Sequence, residues 1–461
     1  MKRLILSFCS IILPLFILAQ YQIKVKTINT KDSIVYFRAS LFDDKNYIPK
    51  DTILLSKGIH VIQSSKPIIG GIYYFYFPTT KQKISFFLEN KDNLEFEFNG
   101  ADYLSQLKTN KRKNQVFINY QKLEKRLSTF DTIYAQDIAK GIKRGEMQKA
   151  LFFKPKTDSL IIFRDQTIKL FAKNEILPVY FNALNKLDSS VPNKKNYIGR
   201  NLFINQFDLN NTKLFFTPAY KQILVEYFSY YPLQADSMVK GVDTLFSKLL
   251  CSNKSYNYVF DYISKLLKNR EIQNNTEGYA YLIEHYIKEG KCPFLDAKSK
   301  AHLLNELEQV RAQSIKDTCV NMLLPDTTGV TKDLHVFAKN NNYTVIIFYD
   351  PNCEHCKVEV PKMDSIIKVL ELQLLVKIGK YAICNEPNIS KEVWAHFINT
   401  YHLNNNYVHV NLGSNMEIRK SYDAFSNPLF FLIDRDAILL AKKIGVNTLR
   451  KELLQAFQHY K

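Results

Sequence analysis

Three textures of apolar and polar residues follow one another along the chain. Between residues 20 and 100 the period is two. In "NLEFEFNG", Leu94, Phe96 and Phe98 share one face while Asn93, Glu95 and Glu97 share the other, as in a half-buried strand. "DTILLSKGIHVIQSS", "GGIYYFYFP" and "QKISFFLEN" are short, rich in β-branched and aromatic residues, and bounded by Gly, Pro, Asn or Asp. Such a run of strands, without a convincing helix, predicts a small antiparallel β sandwich or barrel over 20–100. No cluster of His, Asp or Glu stands out there, which favours a binding or assembly module over a catalyst.

Over 101–315 the period becomes helical. Val116, Tyr120, Leu123 and Leu127 recur at that spacing, as do Leu303, Leu304, Leu307 and Val310. Aromatic stretches such as "PAYKQILVEYFSYY" and "YNYVFDYISKLLKNR" lie between them. Core packing is the favoured use of these stripes, and an all-α domain is predicted. From 316 to 461 strands and helices alternate. "YTVIIFYD" and "LQLLVKIGKYAIC" read as strands, and "SKEVWAHFINTYH" as a helix with Val393, Trp394, Phe397 and Tyr401 on its buried stripe. "NYVHVN" reads as a strand, and a short helix lies around Met416–Tyr422. "PLFFLID" and "AILLAKKIG" read as paired strands, and "NTLRKELLQAFQHY" as a final helix capped by Asn447 or Thr448. This alternation predicts an α/β domain on a central sheet.

The N-terminus changes the picture of location. "MKRLILSFCSIILPLFILAQ" runs from Lys2 and Arg3 through an apolar core to Ala19, the order of a secretory leader spanning 1–19. Its apolar stretch, broken by Pro14, falls short of the roughly 20 residues a spanning helix needs. No later segment is long and apolar enough to span, so an exported protein of the periplasm or cell envelope is expected. The net charge of +19 can favour nucleic acid or anionic membrane surfaces, with a solvated basic surface as the favoured reading. The lysines are dispersed, however, without the dense basic block of a nucleic-acid-binding arm, and no nucleic-acid partner is expected. Of the seven cysteines, Cys9 lies in the leader. Cys251, Cys292, Cys319 and Cys384 have no short spacing and read as small buried hydrophobes.

The remaining pair carries the chemistry. In "FYDPNCEHCKVEVPKM", Cys353 and Cys356 follow an apolar strand and open a helix. A helix N-terminus stabilises a thiolate at the first cysteine, and the second, one turn on, is placed to attack a mixed disulfide formed there. Between them, a protonated His355 would favour the thiolate and Glu354 would oppose it, so both are candidates for redox tuning. A zinc site wants more ligands than one such pair supplies, and no metal is expected. A structural brace is the weaker alternative. A peroxidatic cysteine usually has Thr or Ser three residues upstream, where Asp350 stands here. Dithiol–disulfide exchange is the favoured chemistry, with the cysteine pair as the redox group and no bound cofactor.

Cys353-Glu354-His355-Cys356, followed by Glu359 and Pro361, resembles the CxxCxxExP pattern of the TlpA/ResA-like thioredoxins of bacterial envelopes. The resemblance implies a C-terminal thioredoxin fold in which Cys353 is the nucleophile, Cys356 resolves and Glu359 assists proton transfer. It makes Pro361 the helix-kinking proline. "SNPLFFLID" resembles the loop with the family's cis-proline, which implies a cis Asn427-Pro428 bond and a substrate-holding backbone beside it. The sequence departs from the pattern at Asn352 and Tyr349, where tryptophans are usual, and at Ile347, where cytosolic thioredoxins bury an Asp. The β block and "INQFDLNNTKLFFTPAYKQIL" are similar to domains that precede such thioredoxins. The implied partners are protein thiols or disulfides and an upstream electron donor or acceptor, with reductase or isomerase action. The rival readings are an envelope binding protein with a redox-inert thioredoxin-like adaptor, and a thiol peroxidase.

Overall fold

A computed structural model describes residues 20–39, 51–55, 58–139, 158–189, 195–290, 292–311 and 313–459. The expected leader, 1–19, lies outside the described residues. The chain divides into two compact units, Met1–Tyr227 and Phe228–Lys461, and the division falls inside the helical stretch.

Among the described residues of the first unit, eight strands form two four-stranded sheets. They are β1 (Tyr21–Ile28), β2 (Ile34–Ala39), β3 (Asp51–Leu54), β4 (Gly58–Ser64), β5 (Gly71–Phe77), β6 (Gln82–Leu88), β7 (Asn93–Asn99) and the two-residue β8 (Lys108–Thr109). The sheet orders are β4-β1-β7-β8 and β3-β2-β5-β6. Leu94, Phe96 and Phe98 all turn into a core shared with Ile23, Val25, Phe37, Phe75 and Phe86, as the alternation requires. One ladder corrects the expectation of purely antiparallel pairing: β1 and β7 run parallel, with Ile23 beside Leu94 and Val25 beside Phe96. Nearly the whole block separates these two strands, so no hairpin forces them antiparallel. Helices follow at Tyr103–Gln106 (α1), Arg112–Ala139 (α2), 158–168 (α3), Ile176–Asp188 (α4), Tyr197–Ile204 (α5), Thr212–Phe215 (α6) and Pro218–Ser229 (α7). Their aromatics are core: Tyr120 packs on Phe181 with ring centroids 4.7 Å apart.

The second unit opens with α8 (Ala235–Phe246), α9 (Lys254–Leu267), α10 (Asn275–Ile283), a π-helical turn Glu284–Lys288, and α11 (Ala297–Arg311). Cys251 and Cys292 form a disulfide across 41 residues, which corrects their reading as small buried hydrophobes. Their Cα atoms lie 5.3 Å apart, a proximity that only the helix packing creates. Cys319 and Cys384 are free and buried.

A five-stranded sheet of order β13-β12-β11-β14-β15 follows. Its strands are β11 (Tyr343–Tyr349), β12 (Ile378–Cys384), β13 (Tyr407–Asn411), β14 (Leu429–Asp434) and β15 (Leu439–Ile444), beside a hairpin of β9 (Leu323–Pro325) and β10 (Thr331–Asp333). β11, β12 and β13 are parallel, and β14 and β15 antiparallel. Every residue of β11, β12 and β14 is buried, because helices cover both faces. One face packs α13 (Glu354–Leu374), α14 (Lys391–Thr400) and α16 (Val446–His459) against Val345, Ile347 and Tyr349. The other packs α12 (Leu334–Lys339) and α15 (Met416–Ser421) against Ile346 and Phe348.

Three local expectations change. The stretch "LQLL" belongs to α13, which ends at a left-handed Leu375, and β12 begins only at Ile378. Leu372 and Leu375 face solvent, so the apolar run there is not a strand face. Val393 is 41% exposed, leaving Trp394, Phe397 and Ile398 as the buried stripe of α14. The last helix starts at Val446, so Asn447 and Thr448 sit in its first turn, and the Thr448 hydroxyl donates to the Arg270 carbonyl at 3.1 Å.

Candidate functional site: a dithiol beside a cis-proline loop

The buried strand β11 ends at Tyr349, and the chain turns through Asp350-Pro351-Asn352 into α13. The turn is closed by its own polar groups. The Asp350 carboxylate accepts from Asn352 N at 2.8 Å, and its carbonyl accepts from Cys353 N at 3.0 Å. Cys353 is the N-cap residue of α13, extended in backbone and half-buried. Its side chain makes no capping bond, so the sulfur is not occupied by the helix. Cys356 lies in the first turn and is fully buried in the core with Val360 and Met363. The Asp350 backbone N–H points at its sulfur, 3.5 Å away. Burial pushes the Cys356 thiol well above the usual range, opposed by that N–H; the neighbouring Cys353 and Asp350 push it further up.

Facing the pair is the loop before β14. Asn427-Pro428 is a cis bond, and the Cys353 sulfur lies 4.0 Å from the Asn427 carbonyl oxygen. The chain therefore brings Cys353, Cys356, Asn427 and Pro428 together. Asn385, at the end of β12, braces the loop: its side-chain N–H group donates to the Ala424 carbonyl at 2.9 Å and to the Asn427 side-chain oxygen at 3.0 Å.

The other predicted residues sit further out. Glu354 is 84% exposed and paired with Lys357 at 2.6 Å, a surface ion pair of small worth. His355 is exposed. Glu359 is half-buried on the next turn of α13 and has no hydrogen-bond or ion-pair partner among the described residues. Pro361 lies inside α13, which continues through it to Leu374. No group of three or more His, Cys, Asp or Glu able to hold a metal occurs among the described residues.

Two features had no signal in the sequence. Behind the dithiol, the Trp394 indole N–H donates to the Tyr349 hydroxyl at 2.6 Å, and that hydroxyl lies 3.2 Å from His409 Nδ1. Beside the cis-proline loop, Arg270 donates to the Pro428 carbonyl at 2.6 Å and to the Ser426 hydroxyl at 3.0 Å. A cleft of about 330 Å³ adjoins it, lined among others by Tyr279, Glu306, Phe425 and Ser426. Arg270 stands 158 residues before Pro428, and no spacing rule links them.

A domain described as that of a "possible thiol-disulfide isomerase" from Cytophaga hutchinsonii is 24% identical, covers 32% of this chain and 95% of its own, and has a TM-score of 0.28. A thiol:disulfide interchange protein from a Bacteroides species is 16% identical, covers 32% and 92%, and has a TM-score of 0.28. A thioredoxin-like protein from Bacteroides caccae is 18% identical over 51% of this chain and 83% of its own, with a TM-score of 0.39. No family model and no curated protein matches the chain. Among the described residues, no helix is long and apolar enough to cross a membrane.

Proposed function

We propose that the chain is an exported TlpA/ResA-like thiol–disulfide oxidoreductase of the periplasm or cell envelope, acting on protein disulfides as a reductase or isomerase. The observation that carries this reading is the pairing of a half-exposed Cys353, at a helix N-terminus opposite the Asn427 carbonyl, with a Cys356 buried behind it. That asymmetry suits a division of labour. The Cys353 thiolate attacks a substrate disulfide R–S–S–R′, forms the Cys353–S–S–R mixed disulfide and expels R′S⁻. Cys356 then loses its proton and attacks the Cys353 sulfur; RS⁻ leaves, and the two electrons that reduce the substrate come from the dithiol. Glu359, close by on α13, takes the proton from Cys356 in this scheme. Asn427 and Pro428 hold the extended substrate segment, while Glu354 and His355 adjust the poise from outside. The β sandwich and the helical domain select the substrate or hold a partner.

The test is trapping. The reduced full-length protein should reduce insulin disulfides, and Cys356→Ser should accumulate mixed disulfides that dithiothreitol releases. Cys353→Ser should form none and should lose turnover entirely. Insulin turnover that survives Cys353→Ser would overturn Cys353 as the nucleophile, and a wild-type protein that never exchanges would leave the domain as a redox-inert adaptor.

A further inference from the structure

We infer that Arg270, on the loop after α9, is a positioning residue for the dithiol: its guanidinium ties down the loop facing Cys353 and so sets a positive charge beside that loop. The inference rests on the dithiol reading above and adds to it a residue from outside the α/β domain.

Both ends of Arg270 are fixed. Its backbone carbonyl accepts from Gly445 N at 2.8 Å and from the Thr448 hydroxyl at 3.1 Å, so the residue is seated where β15 passes into α16. A Cβ at Gly445 would lie 3.3 Å from the Arg270 carbonyl oxygen, tighter than an ordinary contact, and would also press on the movable Glu271 carboxylate. Next to it, the Gln273 amide donates to Gln455 of α16 at 2.5 Å. At the other end, the planar fork spans Pro428 and Ser426, either side of the Asn427 whose carbonyl faces Cys353. A guanidinium can bridge two acceptors in this way, and an ammonium cannot do so with the same geometry.

The charge is not neutralised locally. Among the described residues no carboxylate forms an ion pair with Arg270, and its two acceptors are a neutral carbonyl and a hydroxyl. Burial draws the Arg270 pKa down, and the charge of Cys356 draws it up. That attraction is mutual, so Arg270 favours the Cys356 thiolate as the thiolate favours Arg270. The Asp350 N–H also favours the thiolate, and the other groups around Cys356 work the opposite way or act on each other. Cys353 and Asp350 push the thiol up, Tyr349 and Cys384 are themselves buried and neutral, and Glu354 is tied to Lys357. His355 is exposed in the same first turn as Cys356, and Glu359, the proposed proton acceptor, is half-buried one turn on. The effect belongs to the second step, when Cys356 must lose a proton before its sulfur bonds to Cys353 and RS⁻ departs.

The full chain carrying Arg270→Met or Arg270→Lys tests this, with Cys356 titrated by thiolate absorbance in a Cys353→Ser background. Cys319 and Cys384 are buried and present in every variant, so their titration cancels in the difference between variants. Arg270→Met is expected to lower the Cys356 thiolate fraction at fixed pH about threefold or more, because a positive charge beside the site is removed. It should also slow resolution of a Cys353 mixed disulfide by a similar factor. Arg270→Lys should restore most of the thiolate fraction, because the charge remains. A titration that moves less than about twofold in Arg270→Met overturns the inference. If that variant does not fold by circular dichroism, Arg270→Gln replaces it under the same criterion. A wild-type protein that exchanges no disulfide would sink the proposed function, and the titration would still decide the role of Arg270.

Discussion

His409 should make the second unit lose stability as the pH falls from about 6.5 towards about 4. The structure settles which nitrogen carries its proton. Nε2 lies 2.6 Å from the Leu403 carbonyl, which can only accept, so Nε2 carries the hydrogen. Nδ1 is then an acceptor and receives the Tyr349 O–H, while the Tyr349 oxygen accepts from Trp394. The Tyr407 ring stacks on the imidazole at 5.0 Å, within 2° of parallel. A second ring proton would oppose the Tyr349 hydroxyl in this closed setting, and burial lowers the His409 pKa from 6.5 to about 4. Between these values the unfolded chain binds a proton that the folded chain refuses. Stability is therefore fully present above the unfolded value and lost on acidification. A shift of this size is worth about 3 kcal/mol in the limit, and about 2 for a half-buried ring. The assay is urea unfolding from pH 7 to pH 4, followed by fluorescence of Trp394, which is the single tryptophan and sits in the network. His409→Gln should lower stability at neutral pH and remove this part of the acid slope. Carboxylates titrate in both proteins and cancel in the difference. A wild-type minus variant difference that stays constant with pH would refute the reasoning.

Two further outcomes concern stability in each unit. Cys251→Ser opens the disulfide that closes a 41-residue separation, and should cost about 2–4 kcal/mol, read as a lower denaturation midpoint that reductant no longer shifts; an unchanged midpoint would show that helix packing alone holds the two loops. Gly71→Ala would place a methyl group 2.9 Å from the Phe216 carbonyl oxygen, on the strand to which Phe216 is bonded through Ile72 N. Backbone cannot move aside as a flexible side chain can, so the variant should lose about 1–3 kcal/mol in urea unfolding, and full wild-type stability would disprove the close approach.

The period of the apolar residues was enough to place most elements in the sequence. Leu94, Phe96 and Phe98 alternate because a strand buries every second residue, and β11 is wholly apolar because its sheet is covered on both sides. The strand, turn and helix around Cys353 and Cys356 were readable for the same local reason. Boundaries suffered where local signals conflicted: exposed leucines at 372 and 375 lengthened an apparent strand that is really the end of α13.

What the sequence determined by itself is therefore local: which segments are strands or helices, and which two cysteines open a helix after a buried strand. Only the tertiary structure decided what lies across from them. It paired β1 with β7 in parallel, joined Cys251 to Cys292, set Trp394, Tyr349 and His409 in one hydrogen-bonded chain, and laid Arg270 across Ser426 and Pro428. Periodicity reports which face of an element is buried, within a few turns of chain. Contacts between residues far apart depend on how whole elements pack, and a single amino-acid string carries no local mark of its distant partner.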